Sequence, residues 1–364
     1  MNSCHYVRKV YLIGCTLSIA IFMMVANINV SYAEATTHSA NLQRVNTTLK
    51  SNFICLKIDA EVAIPSEDMP IAIYSTDYAK ADDEKWKNMF FGDANAPVKD
   101  ELVGLDLDAE QIFYPDLEQM FSIGEMFTRY VANEARLFVT YRDVDITPLW
   151  GAEKKDQQAV GLEISPETAK EIAQSWIEDL DRTVGWNDLK LQSCYTMPPN
   201  GNYSENNSAD LASAKGFYII EYRHVLNGIP IAFDKTPYLD ETKADIYGDV
   251  VEIFIDDDGI FRVTGYYREC TYTDTSPLTI SLDEAIQIVS DNMEYTIFNN
   301  EDSMFVITEV EFCYRLVQTL ETYDKDAIAR VQARPAWRFA SKINRNMFDE
   351  FVMFVDANTG EVLP

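Results

Sequence analysis

Ser165-Pro166-Glu167-Thr168-Ala169 and Ser281-Leu282-Asp283-Glu284-Ala285 are the two stretches on which the reading of this chain turns. Each begins with a serine able to cap a helix and places acids in the first turn, where the helix dipole favours them. The first adds a proline at the opening helical position, and the second is a full capping box. Behind Ser165 the apolar residues Ala169, Ile172, Ala173, Trp176, Ile177 and Leu180 fall on one helical face. Behind Ser281 the same spacing is kept by Leu282, Ala285, Ile286, Val289 and Met293.

Strands follow each helix. After the first, Phe217–Leu226 turns through Asn227-Gly228, a strong hairpin signal, into Ile229–Phe233. Pro230 has no N–H for a ladder, so the return strand is expected at an edge. Val250–Ile255 then turns at Asp257-Asp258-Gly259 into Ile260–Tyr266. After the second helix come Phe305–Leu316, read as one long strand, then Ala336–Ala340 and Phe351–Val355. An order of helix and three strands, given twice, predicts an α+β fold. It consists of tandem helix-on-antiparallel-sheet units, preceded by an α+β N-terminal region.

The second unit resembles a PepSY-like domain. The resemblance rests on Ser281–Val289, Val310–Leu316, Pro335-Ala336-Trp337-Arg338-Phe339 and the closing Val355-Asp356-Ala357-Asn358-Thr359-Gly360-Glu361-Val362. The first unit matches more loosely, through Ser165–Ala169 and Ile253–Ile260. A tandem pair behind a leader is similar to the YycH/YycI-type envelope regulators and uncharacterised lipoproteins of Gram-positive bacteria. That resemblance implies extracytoplasmic regulation of another protein and carries no catalytic residues to transfer. The expected organisation is a signal peptide over 1–33, a flexible stem over 34–51 and an N-terminal α+β region over 52–150. The PepSY-like units occupy 160–273 and 274–364.

The leader is read from Arg8 and Lys9, the apolar run from Val10 to Ala26, and the small residues Ser31 and Ala33 before a cut. An uncleaved anchor is one alternative. Acylation of Cys15 in Leu12-Ile13-Gly14-Cys15 is another, and all three place the folded part outside the cytoplasmic membrane. In the N-terminal region Phe53–Ile64 and Ile71–Tyr74 read as strands, Asp83–Phe91 as a short helix and Leu137–Tyr141 as a strand. Leu117, Met120, Phe121, Gly124, Phe127 and Val131 have the spacing of a helical face.

With 30 Lys and Arg against 59 Asp and Glu, the formal charge is −29 over 364 residues. Such a surface repels phosphate backbones and anionic headgroups, which disfavours nucleic acids. The membrane is expected only through an uncleaved anchor or a lipidated Cys15. Beyond the leader Cys55, Cys194, Cys270 and Cys313 remain, enough for two disulfides or for four separate thiols, and no zinc spacing joins them. His224 lies within a strand-like run and is expected to be a cross-strand neighbour. Asp256-Asp257-Asp258-Gly259 reads as a hairpin turn with solvated acids rather than a calcium loop. Asp106, Asp108 and Glu110 read as a charged edge or helix start. Among 59 acids some pair always meets the separation that glycoside hydrolysis needs, so the count carries no weight. Aromatic residues make up 12% of the chain, which suits strands and cores and also a sugar or peptide groove.

No catalytic, cofactor-binding or metal residue is therefore assigned, and no cofactor is expected. The expected function is non-catalytic binding or regulation of another extracytoplasmic protein or peptide. Recognition is expected at a sheet face or edge such as the strand around Pro230. An extracellular hydrolase or glycan-binding protein is the alternative. The expected location is extracellular or on the outer face of the cytoplasmic membrane.

Overall fold

Strands, in three sheets, dominate a computed structural model of the chain. It describes residues 41–50, 55–66, 71–79, 156–197, 215–234, 248–275, 278–296, 304–318, 331–341 and 351–364, short strands between 98 and 132, and a few single positions. Strands β1 (Asn41–Lys50), β2 (Cys55–Ile64) and β14 (Met304–Ile307) make the first sheet, with β14 parallel to β2.

The second sheet has nine strands. They are β4 (Val98–Lys99), β5 (Ala109–Tyr114), β6 (Gln119–Gly124), β7 (Thr128–Ala132), β8 (Leu189–Met197), β9 (Phe217–Leu226), β10 (Ile229–Pro230), β11 (Val250–Asp256) and β12 (Gly259–Tyr266). Its order is β10-β9-β11-β12-β7-β6-β5-β4, with β8 also on β9. The third sheet runs β13-β3-β16-β17-β18, from β13 (Arg268–Thr275), β3 (Ala72–Tyr78), β16 (Val331–Ser341), β17 (Phe351–Asp356) and β18 (Val362–Leu363). Strand β15 (Glu309–Gln318) pairs with β16 along its whole length.

The two capped segments are helices, α1 (Pro166–Val184) and α2 (Leu282–Thr296). Ser165 Oγ accepts the Thr168 N–H, and Ser281 and Glu284 bond reciprocally as a capping box does. Ala169, Ala173, Ile177 and Leu180 of α1 pack with Tyr218, Ile220 and Tyr222 of β9 and Val251 and Ile253 of β11. Leu282, Ala285, Ile286, Val289 and Met293 of α2 share a core with Leu56, Ile58, Phe312, Trp337 and Phe339.

The fold class nevertheless differs from the sequence expectation. Among the described residues two long helices lie among three sheets, so the architecture is mainly β rather than tandem α+β helix-on-sheet units. The cause is the N-terminal region, which supplies strands to every sheet. Strand β3 inserts between β13 and β16, and β7 continues the second sheet from β12. Of the stripe expected to be helical, the described residues Met120, Phe121, Gly124 and Val131 lie instead in β6 and β7, which pair antiparallel. Gly124 weakens a helix there, and Phe121, Ile123, Tyr130 and Val131 are good strand formers. Nor is the stem over 34–51 wholly flexible, since Asn41–Lys50 pairs with β2 residue for residue.

Phe305–Leu316 is two strands, broken at Thr308, that enter different sheets. Asn227 and Gly228 both have positive φ, 52° and 84°, as a tight primed hairpin turn requires. Pro230 closes one end of its sheet but leaves no open edge. The next N–H groups, of Ile231 and Ala232, donate to the carbonyls of His224 and of Tyr314 on β15, at 2.9 and 2.8 Å. The expected leader, the helix over Asp83–Phe91 for the most part, Leu137–Tyr141, Asp106 and Asp108 lie outside the described residues, while Glu110 falls on β5. Among the described residues no helix is long and apolar enough to cross a membrane.

Candidate functional site

Strand alternation places Gly265 and Tyr267 on the α1 side of the second sheet, together with Tyr218, Tyr222 and His224. Helix α1 ends at Gly185, whose N–H returns to the carbonyls of Leu180 and Asp181 and delivers Trp186 onto that sheet. A Cβ on residue 265 would stand 2.8 Å from the Trp186 ring, so glycine is what admits the indole. Trp186 then stacks on Tyr267 with centroids 5.0 Å apart, and Tyr267 stacks on His224 at 4.6 Å. The Tyr267 hydroxyl donates to Asn187 Oδ1 at 3.1 Å and accepts the Asn187 N–H at 3.2 Å, locking the loop after α1 against the stack.

His224 closes the far end of this row and is 3% exposed. Its Nδ1 is 2.8 Å from Asp249 Oδ2, and Asp249 is fully buried. A carboxylate only accepts, so Nδ1 donates to it, and Nε2 is the nitrogen left to face the cleft. Asp249 is held in turn by the Arg268 N–H at 2.9 Å. Beside the stack opens a cleft of about 330 Å³, lined by Val184, Gly185, Asp188, His224, Glu269 and Cys270, with the stacked rings as its wall. That volume lies at the small end of ligand sites. Burial, reinforced by the charge of Asp249, pushes the Cys270 thiol well above its ordinary range, so it stays protonated.

The opposite face of β9 meets the third sheet through ions. Arg223 bonds Glu221 at 3.1 Å and Glu311 of β15 at 3.1 Å. Arg338 of β16 grips Asp234 with two bonds, 2.8 and 3.0 Å, and reaches Glu309 at 3.2 Å. The Phe233 ring lies under both guanidiniums, 4.6 Å from Arg223 and 5.5 Å from Arg338. Glu252 stands opposite Glu221 in the register of β11 and β9. Burial and then the Glu221 charge push its carboxyl up to about 7, against the pull of Arg262.

His224 is a cross-strand residue and also a wall of the cleft. Asp257 spends its carboxylate on the N–H groups of Glu163 and Ile164 and on Lys215, and Asp256 accepts the Asp258 N–H. The turn thus ties β11 to the approach of α1. Among the described residues no three His, Cys, Asp or Glu side chains converge as metal ligands. Cys55, Cys194, Cys270 and Cys313 are free thiols, so neither of the possible disulfides is formed. Trp186, Asp188, Tyr267 and Glu269 went unrecognised in the sequence, where a tryptophan just past a helix-ending glycine was the single available signal.

No family model matches the chain, and no curated protein does. Among solved structures it is similar to an uncharacterised protein from Eubacterium rectale, with a TM-score of 0.59 at 14% identity, covering 88% of this chain and 93% of that one. This likeness is one of fold. YycH from Bacillus subtilis matches with a TM-score of 0.36 at 10% identity, over 89% of this chain and 56% of that one.

Proposed function

We propose that this is a non-catalytic, secreted or envelope-tethered protein that binds another extracytoplasmic protein or peptide and regulates it. The cleft beside Trp186, Tyr267 and His224 is the docking site. What carries this reading is the construction of the cleft. Its aromatic wall is held by stacking and by a doubly bonded tyrosine hydroxyl, so it is preformed and loses little freedom when occupied. The leader sequence supports the location.

A photo-crosslinking amino acid at exposed Glu269, in the lining of the cleft, tests the reading in intact cells. One adduct is expected from position 269, none from exposed Glu171 on α1, and Trp186→Ala should remove it. Failure to form an adduct specific to position 269 would refute the docking site.

One observation favours a hydrolase instead, namely the buried Asp249–His224 pair bordering the cleft. The pair lacks an activated thiol in Cys270, whose neighbourhood disfavours the thiolate. Turnover of a peptide or ester substrate by the purified chain, abolished by His224→Gln, would decide for the hydrolase.

A further inference from the structure

We infer that the occupant of the cleft presents a cationic side chain, lysine or arginine, from a segment of the partner; this rests on the cleft being the docking site. The polar groups that border it are mainly acceptors. Asp188 and Glu269 bring two exposed carboxylates to its lining. Val184 and Gly185 bring the C-terminal end of a helix of 19 residues, where the macrodipole is negative. The basic residue of that last turn, Arg182, is turned to Asp179 on its own helix and is absent from the lining.

His224 supplies the independent observation. It is 3% exposed and fixed through Nδ1 by Asp249, and it lines the cleft. Its Nε2 takes no hydrogen-bond partner from the described residues. With Nδ1 committed to Asp249, Nε2 is the nitrogen left to meet an occupant. Ammonium and guanidinium groups are donors only, so they match two carboxylates and a helix C-terminus, where a carboxylate or phosphate would be repelled. The chain's formal charge of −29 steers the same class of ligand toward it.

The probe is a fluorescein-labelled peptide, Gly-Ser-Gly-Arg-Gly-Ser-Gly, against the same peptide with neutral citrulline. Anisotropy is read on the full chain at physiological salt. The arginine peptide is expected to bind about tenfold or more tighter, the worth of one charge-assisted hydrogen bond. Asp188→Asn with Glu269→Gln should remove the preference. Glu171→Gln with Asp283→Asn, an equal change of charge at exposed helix positions, should keep it. Equal binding of both peptides, equal weakening by both double variants, or no arginine-peptide binding at millimolar concentration overturns the inference. Trp186→Ala separates the two claims. If it abolishes binding of both peptides while arginine and citrulline bind alike, the cleft stands and the cation fails. If it changes neither binding, the docking site itself fails.

Discussion

Glu221 and Glu252 face each other across β9 and β11, two carboxylates in directly opposed positions of an antiparallel pair. Like charges so placed repel. Arg223 serves Glu221, and burial together with Glu221 holds the Glu252 proton up to about pH 7, against an ordinary value of 4.5. The folded state therefore keeps a proton that the unfolded chain releases, and stability falls as pH rises from 4.5 towards 7. Glu252→Gln should abolish this slope. Relative to wild type, the variant should gain on the order of 2 kcal/mol by neutral pH. Melting temperatures of the two proteins between pH 4 and 8 check it, and parallel curves contradict it.

Gly265→Ala should disturb the cleft more than the fold. The added methyl would stand 2.8 Å from an indole ring that has no flexible end to yield, so Trp186 must leave its stack on Tyr267. Near-ultraviolet circular dichroism should lose aromatic signal while the far-ultraviolet spectrum is kept. The cost is about 1–3 kcal/mol, as for other overpacked sites. An unchanged near-ultraviolet spectrum would show that the ring is not held as described.

Asp234→Ala strips the two-bond partner from Arg338, which is 2% exposed. Leaving a buried guanidinium short of its counter-ion should cost about 3 kcal/mol. Denaturant midpoints measure it. Replacing Arg338 by Met in the same chain should recover part of the loss, since the orphaned charge is then gone.

Thiol reactivity gives a fourth test. Burial pushes Cys194 up to about 11 and Cys313 well above its ordinary range, and both side chains are within 2% of full burial. Under native conditions at pH 8 a thiol reagent should label neither of them, and in denaturant it should label both. The intact mass should not change on reduction. Rapid native labelling of either residue would contradict the packing.

What was legible in the sequence was local. Ser165 and Ser281 announced their helices because caps and apolar stripes are short-range signals. Asn227-Gly228 announced its hairpin because two consecutive positive φ values leave few residue choices. Strand partnership over long separations was hidden. Nothing near Ala72–Tyr78 says that it lies between residues numbered near 270 and 331. The apolar spacing of Leu117–Val131 suited either period, and strand-forming aromatic residues decided it. The cleft was illegible for the same reason. Its rings come from three separate strands and loops, and the residue that makes room for them is recognisable by the side chain it lacks.

Strand β3 has one further consequence. It is completed on one side by β13 and on the other by β16, more than 250 positions later in the chain. A polypeptide threaded out from its N-terminus cannot close that sheet until the segment beyond residue 331 has emerged. Late closure leaves Ala72–Tyr78 without a partner until Arg268–Thr275 has emerged, and open along one side until the segment from Val331 follows. Truncation shortly before Val331 should therefore produce a product that aggregates or is degraded, even though most of its length is intact.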